Sequence, residues 1–370
     1  HTTATSDAIT LASDGTATAK ITNNLSNRNV FINGAAQINQ RGSATGITSS
    51  STKNWNADRW VFDLTSAGTY TVSTETSSPP AGFSHYLKAV CTSVATPGAT
   101  SIAQIIYEAE GQDLIRFKKG TSSATKMAIS FWIKAKVAGT YVIELFDTDN
   151  SRNIHKQYTI SSAETWEHKE VIFDGDTSTG DPFTYDNNHS LSVMFKLQAG
   201  SNWNSGTAHT VWTDHDSDAD RAVGQVNAFA TNNDYIQMTG LQLEASDNCT
   251  DFEYKTYHDE LLRCWRYYYL WLDGNAQATS DNASALFNTL YFTHHFPVKM
   301  RIAPALDMTS GTNWWTVYTS GTNGSVDDFG RDGITSYTVG CLSRGFTASA
   351  SPALLRSANS GCRIAWDAEL

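Results

Sequence analysis

The chain has 370 residues, a length that points to two domains; 40% are apolar and only 17% charged, with Ser, Thr, Asn and Gly filling the difference. Its 11 Trp, 15 Tyr and 16 Phe exclude disorder, and a net charge of −11 excludes the phosphate-neutralising face that a nucleic-acid partner requires. No apolar run approaches the ~20 residues that span a bilayer, which argues against membrane insertion, and none is bracketed like a secretory signal.

The chain opens on His1 rather than Met, as a processed or truncated end does, and a targeting signal upstream of it would not be seen. Residues 1–26 are small and polar without one aromatic side chain, and read as an extended attachment segment. From 27 to 255 strands alternate with turn signals, the spacing of a β-sandwich. Between Ala128 and Lys136, Ile129, Phe131, Ile133 and Ala135 share one face and Ser130, Trp132, Lys134 and Lys136 the other. A turn at Ala138-Gly139-Thr140 returns the chain through Tyr141 to Phe146. Further strands are expected over 158–160, 166–173, 191–197 and 235–243. Sustained 3.6-residue periodicity is missing from this region, which excludes alternating βαβ topology.

The pattern changes at the junction, placed near Lys255. Leu261, Cys264, Trp265 and Tyr268 fall at helical spacing behind Asp259 and Glu260, so a short helix is expected to run into the β-prone Tyr267-Tyr268-Tyr269-Leu270-Trp271. Residues 256–370 form a smaller C-terminal β domain, expected as a second sandwich. In it Thr309-Ser310-Gly311-Thr312-Asn313 returns as Thr319-Ser320-Gly321-Thr322-Asn323 around Trp314-Trp315-Thr316-Val317-Tyr318. On that strand Trp314, Thr316 and Tyr318 would face one way and Trp315 and Val317 the other. A domain of this size has one core, so the second face is expected against another chain, the sandwich or a receptor. Trp314, Trp315 and Tyr318 are therefore the candidate oligomer contacts.

Cys91, Cys249, Cys264, Cys341 and Cys362 are few, odd in number and scattered, unlike a disulfide scaffold. They are expected as reduced thiols of a protein folded in a reducing cell.

Several short motifs occur in a familiar order. They are Asn33-Gly34, Gln40-Arg41-Gly42, Ala57-Asp58-Arg59-Trp60, Pro80-Ala81-Gly82-Phe83-Ser84 and Ser130-Phe131-Trp132-Ile133-Lys134. Thr165-Trp166-Glu167, Thr239-Gly240-Leu241-Gln242-Leu243-Glu244, Phe252-Glu253, Arg266-Tyr267-Tyr268 and the terminal Asp367-Ala368-Glu369-Leu370 follow. Together they resemble tail-fibre-type structural proteins of phage and marine-virus virions, with a carbohydrate-binding-module-like jelly roll. The resemblance implies a virion location on tail or head after assembly in the host cytoplasm, and a homotrimer. It also implies partners among other virion proteins and adhesion to a host-surface polysaccharide. The acidic stretch 213–223 departs from that pattern.

Asp214, Asp216 and Asp218 alternate in that stretch, and a calcium site and a solvated loop are the two readings. Ala219 and Gln225 stand where an EF-hand beginning at Asp214 needs Gly and Glu. Sugar binding needs flat aromatic faces flanked by hydrogen-bonding groups. Trp203, in Gly200-Ser201-Asn202-Trp203-Asn204-Ser205-Gly206, is the first candidate, followed by Trp212, Tyr235 and Trp132, each with packing as the alternative. His294 and His295 would point to opposite faces of a strand and share no ligand. No nucleophile elbow and no phosphate- or dinucleotide-binding glycine pattern occurs, and no cofactor is expected. Adhesion without catalysis is thus expected. The rivals are a glycan-cleaving tailspike, disfavoured by the lack of a β-helix period, and an architectural head or tail protein.

Overall fold

The computed structural model describes residues 9–11, 17–19, 26–48, 53–65, 68–278, 284–286, 289–309, 314–319, 322–326, 328–332, 334–344 and 353–370. The protein is all-β, and every strand pair among the described residues is antiparallel. One sheet of the sandwich has seven strands, in the order Thr213–Asp214, Arg152–Ile160, Gly139–Asp147, His189–Ala199, Ile102–Glu110, Trp60–Thr65 and Asn54–Ala57. The other has six, in the order Glu167–Phe173, Met127–Ala135, Tyr235–Ala245, Tyr86–Val94, Gly68–Glu75 and Ala44–Ile47. Near the chain start, Ile9–Leu11 pairs with Ala17–Ala19, so this part of the segment expected as extended is folded on itself.

Alternation explains how the sheets meet. Met127, Ile129, Phe131, Ile133 and Ala135 all have 0% exposure in the core, while Trp132 and Lys134 stand on the outer face half-buried. Leu191, Val193, Phe195 and Leu197 meet them from the opposite sheet. Phe31, Trp60 and Tyr107 interlock at one end, with ring centroids 4.7–5.1 Å apart.

The junction helix spans Tyr257–Trp265, with the Thr256 hydroxyl accepting the Asp259 N–H at 3.2 Å as its N-cap. It leads into the strand Tyr268–Asp273. Cys264 and Tyr267 belong to the sandwich core, and Leu370 packs against it, so that core draws on both ends of the C-terminal region. A smaller core around Met300, Trp315, Ile364 and Trp366 serves the sheet Tyr268–Asp273, Arg363–Asp367, Ala305–Met308 and its neighbours.

The two candidate interface tryptophans are absorbed by this domain. Trp315 begins the strand Trp315–Thr319, is 1% exposed and donates from Nε1 to the Thr309 carbonyl at 2.7 Å. Trp314 precedes the strand and packs on the Gly361 backbone, where a Cβ would come within 3.1 Å of its ring. Trp315 therefore has no surface to offer a second chain, and Trp314 only part of one. The Tyr318 side chain lies outside the described residues. Cys91, Cys249, Cys264 and Cys362 are free thiols; the Cys341 side chain also lies outside the described residues.

Many of the ordered motifs meet at the seam between the two cores. Gln40 donates to Asp58 and to the Tyr268 carbonyl, and accepts from Trp265 Nε1 and the Leu270 N–H, each at 3.1 Å. Asn33 donates its N–H to Glu260 of the helix at 2.7 Å. Arg59, 1% exposed, pairs with Glu369 and lies 3.6 Å from the Tyr267 ring centroid and 5.2 Å from that of Tyr107. Arg41 reaches Asp367 at 3.5 Å and Glu369 at 3.3 Å while covering the Tyr268 ring at 3.5 Å. Arg301 holds the carbonyls of Ala368 and Glu369 at 2.7 and 2.6 Å. These residues clamp the C-terminus onto the sandwich.

Candidate functional site

The remaining motifs converge on the outer face of the six-stranded sheet. Pro80-Ala81-Gly82-Phe83 forms a tight turn, with the Phe83 N–H donating to the Pro80 carbonyl at 3.1 Å and Gly82 at φ +90°. The turn aims Phe83 across the sheet at Gly240. That glycine sits at φ +64° in an irregularity of the Tyr235–Ala245 strand, and a Cβ there would come within 2.6 Å of Phe83 and 3.1 Å of Trp132. Glycine thus lets the two rings close over the strand.

The other wall is sewn on by the same strand. Gln242 and Glu244 point outward yet are almost wholly buried, because the returning segment covers them. Gln242 accepts the Glu253 N–H at 2.8 Å, and Glu244 accepts the Thr250 N–H at 2.7 Å. This fixes Phe252 and Tyr254 beside Phe83, with centroids 5.1 and 5.6 Å away. Trp132 completes the set, its ring 5.3 Å from His168 on the neighbouring strand.

The result is a groove of about 490 Å³ lined by Phe83, Trp132, Phe252 and Tyr254 with His168, Glu170, Thr250 and Asp251 as polar neighbours. Tyr254 is 60% exposed, so one wall is open to solvent. Burial pushes the Cys249 thiol in the lining up to about 12, which leaves it an inert neutral group. Thr239, opposite Trp132 in register, has a buried hydroxyl without a partner among the described residues. Flat rings surrounded by donors and acceptors give this groove both stacking and hydrogen-bonding capacity.

Of the four candidate aromatics, Trp132 lies in the groove. Tyr235 lies on the same face, four residues along the strand from Thr239, about 13 Å away at strand rise. It is half-buried, and burial raises its phenol above the ordinary value. Trp212 is 9% exposed within the core cluster, and its Nε1 donates to the Asp174 carbonyl at 2.7 Å. It is a packing residue. Trp203 is in the turn of helix Ser201–Asn204 on the other side of the sandwich, its Nε1 donating to the Thr100 carbonyl at 3.1 Å and its ring 5.5 Å from the Arg221 guanidinium. The loop composition leaves Trp203 open to binding or packing, and these contacts anchor its ring.

The acidic loop is likewise divided. Asp214 pairs with Arg152, and Asp218 with Arg221 at 3.2 Å and His215 at 3.4 Å, so the alternating set does not converge on one ion. Asp216 alone of the three faces a ligand cluster, with His209 and Asp220. His294 is buried and stacked on Trp271 at 4.2 Å while His295 is exposed, as alternation requires.

Phe83, Phe252 and Tyr254 were not among the sequence candidates. The Pro-Ala-Gly turn was the readable sign for Phe83, since it ends a tight reversal on an aromatic. The other two depend on a register that only Gln242 and Glu244 reveal.

No family model and no curated protein matches the chain. Among solved structures it is similar to the enzymatically active domain of tailspike protein 4 of bacteriophage CBA120, at 13% identity and a TM-score of 0.31, over 59% of this chain and 21% of that one. It is also similar to the family 11 carbohydrate-binding module from Clostridium thermocellum in complex with a β-1,3-1,4-mixed-linked tetrasaccharide, at 13% identity and a TM-score of 0.26, over 55% of this chain and 96% of that one. The family 30 module of a cellulosomal cellulase of Clostridium thermocellum follows at 13% identity and a TM-score of 0.25, over 56% and 99%. The chain thus spans about a fifth of the tailspike domain, and likeness of this size carries no function across.

Proposed function

We propose that the protein is an adhesin that binds a glycan in the aromatic groove of its six-stranded sheet, with Trp132 as the stacking platform. The observation that carries this reading is the gathering of Trp132, Phe83, Phe252 and Tyr254 from three separate chain segments around one open groove with polar edges. Tyr235, on the same face, extends the footprint for a polymeric ligand. The motif resemblance supports a host-surface polysaccharide as ligand and a virion appendage as the site of action, without catalysis. Weak single sites suit such a role when trimeric display multiplies them. Light scattering of the full chain reads the trimer: a monomeric mass would remove it.

Trp132→Ala is expected to weaken binding to the host polysaccharide about 30-fold, the effect of losing a central aromatic anchor. Because Trp132 is half-buried, Tyr254→Ala serves as a second variant: at 60% exposure it leaves the melting temperature unchanged while weakening binding several-fold. Affinity electrophoresis in host polysaccharide checks both. Unchanged retention of both variants would refute the site, and new reducing ends during incubation would turn the reading to a cleaving enzyme.

A further inference from the structure

We propose that His209, Asp216 and Asp220 form a site for a transition-metal dication of the zinc class, independent of the groove. The three ligand atoms lie within 4.8 Å of one another, with His209 Nε2 3.8 Å from Asp216 Oδ1 and 3.7 Å from Asp220 Oδ2.

The surroundings prepare each ligand. The Asn153 amide donates from Nδ2 to Glu144 at 3.2 Å, which fixes its oxygen toward His209. That oxygen lies 2.8 Å from His209 Nδ1, so Nδ1 carries the proton and Nε2 presents its lone pair to the two carboxylates. The ring rests on His155, 5.6 Å away at 17°, whose Nδ1 accepts the His209 backbone N–H at 3.1 Å. Asp220 is buried, and one of its oxygens takes the Thr207 N–H, which turns the other toward His209. Gly206 makes that closure possible, since a Cβ there would come within 2.0 Å of Asp220 Oδ1. Asp216 is exposed, leaving a path for an ion.

The donor set selects the class. An imidazole nitrogen with two carboxylates suits zinc, whose bonds to these groups are about 2.0–2.2 Å, and leaves a fourth position for water. Calcium and magnesium prefer oxygen alone. A bound ion would tie the acidic loop to itself beside the strand Arg152–Ile160, on the side of the sandwich that carries Trp203 and Arg221.

Zinc and cobalt are titrated into the chelator-treated full chain. A single saturable equivalent is expected, with the visible absorption of four-coordinate cobalt. His209→Gln and Asp216→Asn should each lose about tenfold or more in affinity, while Asp214→Asn, whose carboxylate serves Arg152, binds as the parent does. Asp216→Asn is the decisive variant because its exposed side chain leaves the metal-free melting temperature unchanged. No saturable uptake, or uptake indifferent to Asp216→Asn and His209→Gln, would overturn the site. Equal displacement by calcium would overturn the assigned class.

Discussion

Glu369→Gln is expected to lower the melting temperature by about 5 °C, although the residue is one position from the chain end. Its carboxylate is the partner of Arg59, whose guanidinium is 1% exposed between two tyrosine rings. Removing one member of a buried pair leaves the other as an uncompensated charge, at about 3–5 kcal/mol. Arg41 also relies on Glu369, at 3.3 Å, so the loss reaches both arginines of the clamp. Asp367→Asn is the control. Its side chain is 36% exposed, and a shift of no more than about 2 °C is expected from a screened partner. Equal shifts for the two variants in a thermal scan would show that the clamp is a surface feature. A small shift for Glu369→Gln alone would show that Arg59 does not depend on it.

Glu144→Gln is expected to cost a comparable 3–5 kcal/mol, about 5 °C, for a different structural reason. Glu144 stands on the outer face of the seven-stranded sheet with 0% exposure, held by Lys196 at 2.7 Å and Arg221 at 2.8 Å, with His155 at 3.4 Å. Burial alone would raise its carboxyl, but Lys196, His155 and Arg221 outweigh it and hold the group well below the ordinary value of 4.5. A folded-state pKa below the unfolded one gives stability that is complete above about 4.5 and is lost as pH falls through the folded value. The parent should therefore lose stability on acidification below about 4.5 more steeply than Glu144→Gln, which lacks this titration. Denaturant midpoints across that range check it. Parallel pH curves would place the acid sensitivity elsewhere. Arg221 joins this cluster to the loop of Trp203, so the variant should also loosen that loop.

Local pattern gave most of the elements. Alternation between Ala128 and Lys136 marks a strand found at Met127–Ala135, and the stripe through Leu261, Cys264 and Trp265 marks a helix found at Tyr257–Trp265. Tyr268 stands both at the end of that stripe and in the β-prone run after it, and it begins the strand because its backbone pairs with Asp367 in the last strand. The same distance hides the clamp: Arg59 and Glu369 are 310 residues apart, and no periodicity links them. Trp132 was legible as an outward residue of a strand. Its groove was not, since that depends on the irregularity at Gly240 and on Gln242 and Glu244 being buried under a returning segment. The acidic loop left two readings open for a related reason. Alternating aspartates suggest one ion, but Arg152 and Arg221 come from other elements and claim two of them.

The most direct test of glycan recognition is a crystal structure of the full chain with an oligosaccharide cut from the host-surface polysaccharide. A sugar ring is expected against Trp132, bounded by Phe83 and Tyr254, with its hydroxyls within hydrogen-bond reach of His168, Glu170 or Asp251. A ring bound instead beside Trp203, or on the Glu144 face of the seven-stranded sheet, would contradict the assignment of the groove as the binding site.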